Sequence, residues 1–178
     1  MDSIELPAWA RVLDSRSRHI RRVTLLLLRW AGELSIASEE TRAWRDAGLW
    51  HDALRDAPEA ELREIILDDS LPAALLHGPA AAAVLERHGE RRAPVLDAVR
   101  WHTVGHPDWD RTGRALFMAD YLDPGRPFAR ASRAALADQV AHDFDGVFRQ
   151  VLRSRLERVL IEGQPLRRET VALWNRMQ

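Results

Sequence analysis

The sequence has no cysteine and no lysine in 178 residues. Without cysteine, the chain cannot form disulfides, a thiolate zinc site or a cysteine nucleophile, and any bound metal must take nitrogen and oxygen ligands. All 26 basic residues are arginine, whose planar guanidinium suits bidentate contact with carboxylate or phosphate. A GC-rich genome would produce the same arginine bias, so the bias alone indicates no function.

The chain also lacks an excess of charge and a long apolar run. Its formal net charge is −1, which argues against a general affinity for nucleic acid or for an anionic membrane. Arg29 interrupts the apolar run in TLLLLRW, and no stretch reaches the about 18 apolar residues of a membrane span. We therefore expect a cytoplasmic protein with no membrane and no nucleic-acid partner.

Alternating runs of β-branched and aromatic residues are missing too, whereas Ala, Leu, Arg and Glu dominate. These four residues are strong helix formers. A chain of this length can bury about 70% of the surface that it exposes when unfolded. No repeat or linker divides it, so the sequence predicts one all-α domain, a helical bundle over residues 1–178.

Prolines, glycines and acidic residues indicate where the helices begin and end. The first expected helix starts at Pro7, the second covers residues 15–34, and the third runs from Glu39 to His51 and Asp52. The next one starts between Asp56 and Glu59 around Pro58, and another runs from Pro79 to just before Gly89. Two more cover about 92–103 and 112–122, and the tail from 130 is helical with breaks at Gly146 and Gly163.

Side chains that can bind a metal occur in five of these helical segments. They are His19, His51 with Asp52, His77, His102 and Asp120. Imidazole and carboxylate together suit iron, manganese, zinc or similar divalent ions, and six such groups could hold two of them. Asp120 is the strongest single anomaly because it interrupts the apolar stretch 116–119, where an ionised carboxylate is costly unless it is paired or bound to metal.

Each histidine also has a simpler interpretation, since a single histidine is more often a hydrogen-bonded core or surface residue than a ligand. His88, beside Gly89, fits a cation at a helix C-terminus. His142 and Asp143 repeat the His-Asp pair without comparable surroundings and are interpreted as a solvated face. His106 has no assigned role.

The ligand candidates lie in sequence words that resemble a known family. The words are RSRHIRRV, AGLWHDALRD, LLHGPAAA, VRWHTVG and FMADYLDPGR. They resemble the HD-domain metal-dependent phosphohydrolases, and within them the YqeK-like branch of symmetrical diadenosine tetraphosphate hydrolases. The resemblance covers about residues 16–126, and the helical C-terminal part, about 130–178, follows it by length and character.

The resemblance implies a centre of two divalent metal ions, usually iron, with manganese or another transition metal as alternatives. His19, His51, Asp52 and Asp120 would hold one ion, and Asp52, His77 and His102 the other. Asp52 would bridge the two ions and is the expected catalytic residue. Two ions about 3.5 to 4 Å apart can hold a hydroxide between them and neutralise charge on the phosphoryl group under attack.

Diadenosine tetraphosphate, the substrate that the resemblance implies, carries several negative charges, so the site needs cations beyond the metals. Arg16, Arg55 and Arg126 each lie within a few residues of a proposed ligand, and guanidinium groups fit phosphate oxygens. Arg16 could instead orient a ligand. Thr103 and Gly105 are expected to line the phosphate path, although Gly105 could simply end a helix.

Three hypotheses follow. The first is symmetrical cleavage of diadenosine tetraphosphate to two ADP. The second is an HD-domain phosphohydrolase acting on another nucleotide or phosphoester, with the same metals and a different pocket. The third is a non-enzymatic helical interaction protein with structural histidines. The apolar residues of the tail would also permit a homodimer.

Overall fold

A computed structural model describes residues 5–67 and 70–177. These residues form nine α-helices and no strand, which confirms the all-α prediction. The helices are α1 (Asp14–Glu33), α2 (Ser38–Trp50), α3 (Glu59–Ile66), α4 (His77–Arg87), α5 (Ala93–Trp101), α6 (Arg111–Leu122), α7 (Arg130–Gln139), α8 (Phe144–Ile161) and α9 (Arg168–Arg176), with a short 3₁₀ turn at Ala73–Leu75.

The main hydrophobic core lies between α1, α2, α5, α6 and α8. Trp30, Trp44, Phe117 and Phe148 are among its largest fully buried side chains. Helices α1 and α2 pack at close range, because a Cβ atom on Gly48 would lie 3.1 Å from the Thr24 Cα atom. This packing brings the middle of α1 next to the C-terminal end of α2.

A second, smaller core lies beneath α3, α4 and α5. It includes Leu62, Leu85 and Val99. It joins the start of α4 to the end of α5, and the first core joins α1 to α6. The five segments that carry the predicted ligands, on or next to α1, α2, α4, α5 and α6, therefore meet in one interior region although they are distant in the sequence. Within residues 5–67 and 70–177, none of the helices combines the length and the apolar composition that a membrane span needs.

The expected helix at Pro7 is absent, and the predicted cap of α3 is wrong. The Arg11 N–H donates to the Ala53 carbonyl at 2.7 Å, and the Asp56 N–H donates to the Arg11 carbonyl at 3.2 Å. The Asp56 carboxylate accepts a hydrogen bond from the Leu13 N–H at 2.8 Å. The N-terminal segment is thus held in a non-helical conformation, and Asp56 serves this segment instead of capping α3.

Two further boundaries differ from prediction. Helix α4 begins two residues before Pro79, which lies in its first turn, where the missing N–H is not needed. Gly146 does not break the tail, because it lies in the first turn of α8 and its N–H donates to the Asp143 carboxylate at 3.0 Å. Gly89 and Gly163 follow the ends of α4 and α8 with positive φ, as predicted.

Candidate metal centre

All six predicted ligands lie together in the interior. Each is at most 6% exposed. The side chains come from the second turn of α1 (His19), the residues after α2 (His51 and Asp52), the first residue of α4 (His77), the residue after α5 (His102) and the last turn of α6 (Asp120). Three of the five segments contribute a ligand at a helix end.

The ligands form two groups of three. His19, His51 and Asp120 form one group, and Asp52, His77 and His102 form the other. Within each group the ligand atoms lie within 4.8 Å of one another. Each group could therefore hold one metal ion. The resemblance implied the same residues but placed Asp52 in both sets, and metal binding by these sets stays a prediction.

Asp52 belongs to the second group and also faces the first, with a different oxygen directed toward each. Its Oδ1 is 3.2 Å from His77 Nε2 and 3.4 Å from His102 Nε2. Its Oδ2 is 3.7 Å from the Nε2 atoms of both His19 and His51. A carboxylate in this position could be shared by two ions.

The outer ring nitrogens of three histidines have fixed partners. His51 Nδ1 donates to the Gly48 carbonyl at 2.8 Å, and His102 Nδ1 donates to the Val99 carbonyl at 2.7 Å. Because a carbonyl can only accept, the Nδ1 atoms of these two rings carry hydrogen and their Nε2 lone pairs face the centre. His19 Nδ1 lies 2.7 Å from the Asp123 carboxylate. This carboxylate–histidine pairing is typical behind a metal-binding ring.

Burial and neighbouring charges set the protonation of the centre. Burial lowers the pKa of His51 to about 4 and also lowers the pKa of His77. These rings are therefore neutral at pH 7, which is the form that binds metal. Burial also disfavours charge on His19, but hydrogen bonds with Asp120 and Asp123 outweigh it and raise the His19 pKa to about 9.

The two carboxylates of the centre are ionised. Burial alone would raise their pKa values, but the histidines around Asp52, and His19 with two arginines around Asp120, hold both pKa values well below the ordinary range. Neutral imidazole nitrogens and charged carboxylate oxygens make a mixed donor set. Such a set fits iron, manganese or zinc better than calcium or magnesium, which prefer oxygen ligands alone.

Two of the predicted phosphate-binding arginines contact ligands directly. Arg16 Nη1 donates to Asp52 Oδ2 at 2.7 Å. Arg126 donates from Nη2 to Asp120 Oδ1 and from Nε to the Asp120 carbonyl, the latter at 2.9 Å. Both guanidinium groups remain about one-third exposed. Arg16 thus fits its alternative role of orienting a ligand, and phosphate binding by either arginine stays a prediction.

Arg55 is close enough to the centre for its charge to help lower the His77 pKa. Its guanidinium has no hydrogen-bond or ion-pair partner within residues 5–67 and 70–177. The Thr103 hydroxyl lies 3.2 Å from His102 Nε2, so it borders the metal ligands.

Gly105 has a structural role at the end of α5. It has a φ of +84°, and a Cβ atom placed on it would come within 2.6 Å of the Leu173 side chain. The residue therefore turns the chain closely beneath α9, as its simpler interpretation proposed. A place for Gly105 in the phosphate path stays a prediction.

The remaining histidines lie apart from the six ligands. His88 follows α4, and its Nδ1 lies 2.9 Å from the Val84 carbonyl, as expected for a helix C-terminus. His142 is exposed, whereas Asp143 caps α8. The His106 ring stacks on the Trp101 ring with centroids 5.3 Å apart.

Sequence reasoning missed several charged residues around the ligands. Asp123 is buried and accepts hydrogen bonds from Arg22 at 2.6 and 2.9 Å in addition to its contact with His19. Its spacing of three residues from Asp120 would have indicated a shared helix face. Arg155, on α8, donates to Asp120 Oδ2 at 3.3 Å. No local pattern indicates this contact, because 35 residues separate the two partners.

The chain is similar to a known family and to several known proteins. The family model described as HD domain matches residues 16–125. The chain is 26% identical to the symmetrical bis(5'-nucleosyl)-tetraphosphatase of Bacillus subtilis, over 72% of this chain and 73% of the relative. It is 28% identical to the protein of the same name from Halalkalibacterium halodurans, over 74% and 73%.

A solved structure is also similar. It is a crystal structure from Clostridium acetobutylicum, described as a predicted HD superfamily hydrolase involved in NAD metabolism. The TM-score is 0.78 at 25% sequence identity, with 92% of this chain and 89% of that chain covered. The matched family region contains all six ligand positions and leaves α7, α8 and α9 outside.

Proposed function

Because the chain belongs to the HD domain family, we propose that it is a metal-dependent phosphohydrolase that cleaves diadenosine tetraphosphate symmetrically into two ADP. The observation that carries the hydrolase proposal is the position of Asp52, whose Oδ1 faces His77 and His102 and whose Oδ2 faces His19 and His51. The symmetrical tetraphosphatases to which the chain is similar support the choice of substrate.

We propose two divalent ions, with iron as the first choice and manganese or another transition metal as alternatives. His19, His51, Asp120 and Asp52 would hold one ion, and Asp52, His77 and His102 the other. Such a pair supplies activation of water and neutralisation of charge on the phosphoryl group.

The protein's own groups keep this set in place. Arg16 holds the Asp52 carboxylate through a 2.7 Å hydrogen bond, which fixes the orientation of the oxygens toward their two histidine pairs. The Asp123 carboxylate fixes the His19 ring from behind. The surrounding histidines hold the Asp52 pKa well below its ordinary range, so the carboxylate stays ionised and accepts hydrogen bonds.

The polyphosphate would bind the cationic groups at the edge of the centre. Arg55 is free of a protein partner within the described residues, so it can contact phosphate without breaking an ion pair. Arg126 and the Thr103 hydroxyl lie beside ligands of different groups. In symmetrical cleavage, the oxygen of water forms a bond to one of the two central phosphorus atoms, and the bond from that phosphorus to the oxygen that joins the two central phosphorus atoms breaks. The leaving oxygen stays with the other half as its terminal phosphate oxygen, the water gives up a proton, and both halves are ADP.

A product screen tests this function. The purified protein, loaded with iron or manganese, is incubated with diadenosine tetraphosphate, and the products are separated by chromatography. ADP as the sole product is expected. AMP with ATP would contradict symmetrical cleavage.

The same screen includes other nucleotides, phosphoesters and NAD, since the similar Clostridium structure is described as involved in NAD metabolism. Faster turnover of one of these compounds would support the second hypothesis. A protein that binds neither iron nor manganese and hydrolyses nothing would favour the helical interaction protein.

We also propose a homodimer and a cytoplasmic location. The homodimer is supported by large apolar residues that are exposed near the end of α8, among them Leu160 and Ile161. Light scattering of the purified chain across a concentration series measures its mass, and a constant mass near 20.3 kDa would contradict the dimer.

A further inference from the structure

The two oxygens of the Asp120 carboxylate have different partners. Oδ1 lies 3.2 Å from His19 Nε2 and accepts a hydrogen bond from Arg126. Oδ2 accepts a hydrogen bond from Arg155 Nη2 at 3.3 Å. Since Oδ1 is the oxygen beside His19 Nε2, it is the oxygen that would bind an ion, whereas Oδ2 is bound by Arg155.

Arg155 reaches Asp120 from outside the matched family region. It lies on α8, whose inward face buries Val151 and Leu152 in the main core. Arg155 follows these residues by four and three positions, so it projects from the same face of the helix. The packing of α8 therefore determines where this guanidinium lies.

The orientation of the Arg155 guanidinium is also fixed. Its central carbon lies 4.2 Å from the centroid of the Phe117 ring, and Nη1 donates to the Phe117 carbonyl at 3.4 Å. Phe117 is held in turn by edge-to-face contacts with Trp109 and Phe148. A guanidinium stacked on a buried ring and bonded at two nitrogens has little freedom to leave Asp120.

Arg126 does not perform the same task. It binds Oδ1, the oxygen that an ion would take, and it comes from the chain after α6. Within residues 5–67 and 70–177, Arg155 is the hydrogen-bond donor to Oδ2. The loss of Arg155 would leave Oδ2 buried without a partner and the carboxylate free to turn.

We propose that Arg155 is a positioning residue for Asp120: it holds Oδ2 so that Oδ1 stays beside His19 Nε2, and it thereby sets the affinity of the group His19, His51 and Asp120 for its ion. This role rests on the proposed two-metal centre and extends that centre to a helix outside the matched family region.

The test compares Arg155→Met with Arg153→Met. Arg153 is two residues away on the same helix, is mostly exposed and pairs with Glu157, so it controls for loss of a positive charge from α8. The metal-free proteins are titrated with Mn²⁺, and binding is followed by calorimetry and by electron paramagnetic resonance. We expect two ions in the wild type and in Arg153→Met. In Arg155→Met, one ion binds as in the wild type and the other binds about 10-fold or more weakly.

A double-mutant cycle with Asp120→Asn assigns the weakened ion. Once Asp120→Asn has removed the charged partner, Arg155→Met should change Mn²⁺ affinity by no more than about twofold. Arg155→Lys retains the charge and should recover part of the affinity. If Arg155→Met loses its helical circular dichroism, the cycle is carried out with Arg155→Lys, for which a smaller loss of the same ion is expected.

Two outcomes overturn the proposal. Unchanged binding of both ions by folded Arg155→Met, or an equal loss of affinity with and without Asp120→Asn, would show that Arg155 does not act through Asp120. A wild-type protein that binds no Mn²⁺ would instead overturn the proposed metal centre, and the role of Arg155 with it.

Discussion

The His19 ring and the Asp123 carboxylate lie 2.7 Å apart, although 104 residues separate them in the sequence. The contact joins α1 to the residue that follows α6. It places a buried negative charge on the outer side of a ring whose Nε2 faces the metal ligands. An anion at this position increases the basicity of the ring and fixes its orientation.

Replacement of Asp123 by Asn should therefore weaken metal binding, although the size of the side chain is preserved. We expect about 10- to 100-fold lower Mn²⁺ affinity, because the variant loses the charge that supports His19. Calorimetric titration of the metal-free protein measures the change. Asp138→Asn is the matched control, since Asp138 is exposed and pairs with Arg29. Equal affinities in the two variants would contradict a role for Asp123 behind the ligand.

Asp52→Ala and Asp52→Asn should abolish hydrolysis without loss of the fold. Asp52 faces both ligand groups, so either change removes a shared ligand, and we expect turnover to fall by more than about 100-fold. Release of ADP and helical circular dichroism are the two measurements. Asp97→Asn, at an exposed position of α5, controls for the loss of a carboxylate. Undiminished turnover in either Asp52 variant would refute the assignment.

Helical composition and the local words around each ligand were enough to predict the helical class and the set of six residues that meet. His51, Asp52, His77 and His102 lie at or next to helix ends, where short sequence signals also mark the boundaries. The prediction of two ligand groups came from the resemblance. The structure brings the same residues together.

Long-range contacts account for what the sequence did not predict. Residues 7–10 look like a helix start, but the neighbouring Arg11 pairs with Ala53 and Asp56 through backbone hydrogen bonds that no local pattern encodes. Gly146 looked like a break because the Asp143 cap of α8 was not recognised. Arg155 reaches Asp120 only because α8 packs across α6.

The stability of the metal-free protein should fall between pH 6.5 and 9. The His19 pKa is about 9 in the folded chain and ordinarily 6.5, so the folded state holds a proton that the unfolded state releases. The stabilisation of the folded state by this proton on His19 is complete below pH 6.5 and is lost as the pH rises through 9. The free energy of unfolding falls over this range with a slope of up to about 1.4 kcal/mol per pH unit.

Urea unfolding across this range measures the slope. His19→Gln should make the slope shallower because the group that titrates is gone. Below pH 6.5 the buried His51, with a pKa of about 4, acts in the opposite direction, because the unfolded state then takes up a proton that the folded state excludes. A free energy of unfolding that rises from pH 6.5 to 9 in the wild type would contradict the predicted charge on His19.

Gly78→Ala should destabilise the junction of α4 and α5 that places His77 beside His102. A Cβ atom on Gly78 would lie 2.9 Å from the carbonyl oxygens of Val99 and Arg100 and 3.2 Å from the His102 ring. Because the first two neighbours are backbone atoms, the helices must separate, and we expect a loss of about 1–3 kcal/mol with weaker Mn²⁺ binding. Gly32→Ala is the control, since Gly32 is an exposed residue of α1 and nothing lies within 4 Å of its Cβ position. That variant should be as stable as the wild type or more stable by up to about 1 kcal/mol.

Urea unfolding and Mn²⁺ titration compare the Gly78→Ala and Gly32→Ala proteins. If Gly78→Ala is as stable as Gly32→Ala and binds Mn²⁺ as tightly, the close approach of α4 to α5 at Gly78 does not set the spacing of the ligands.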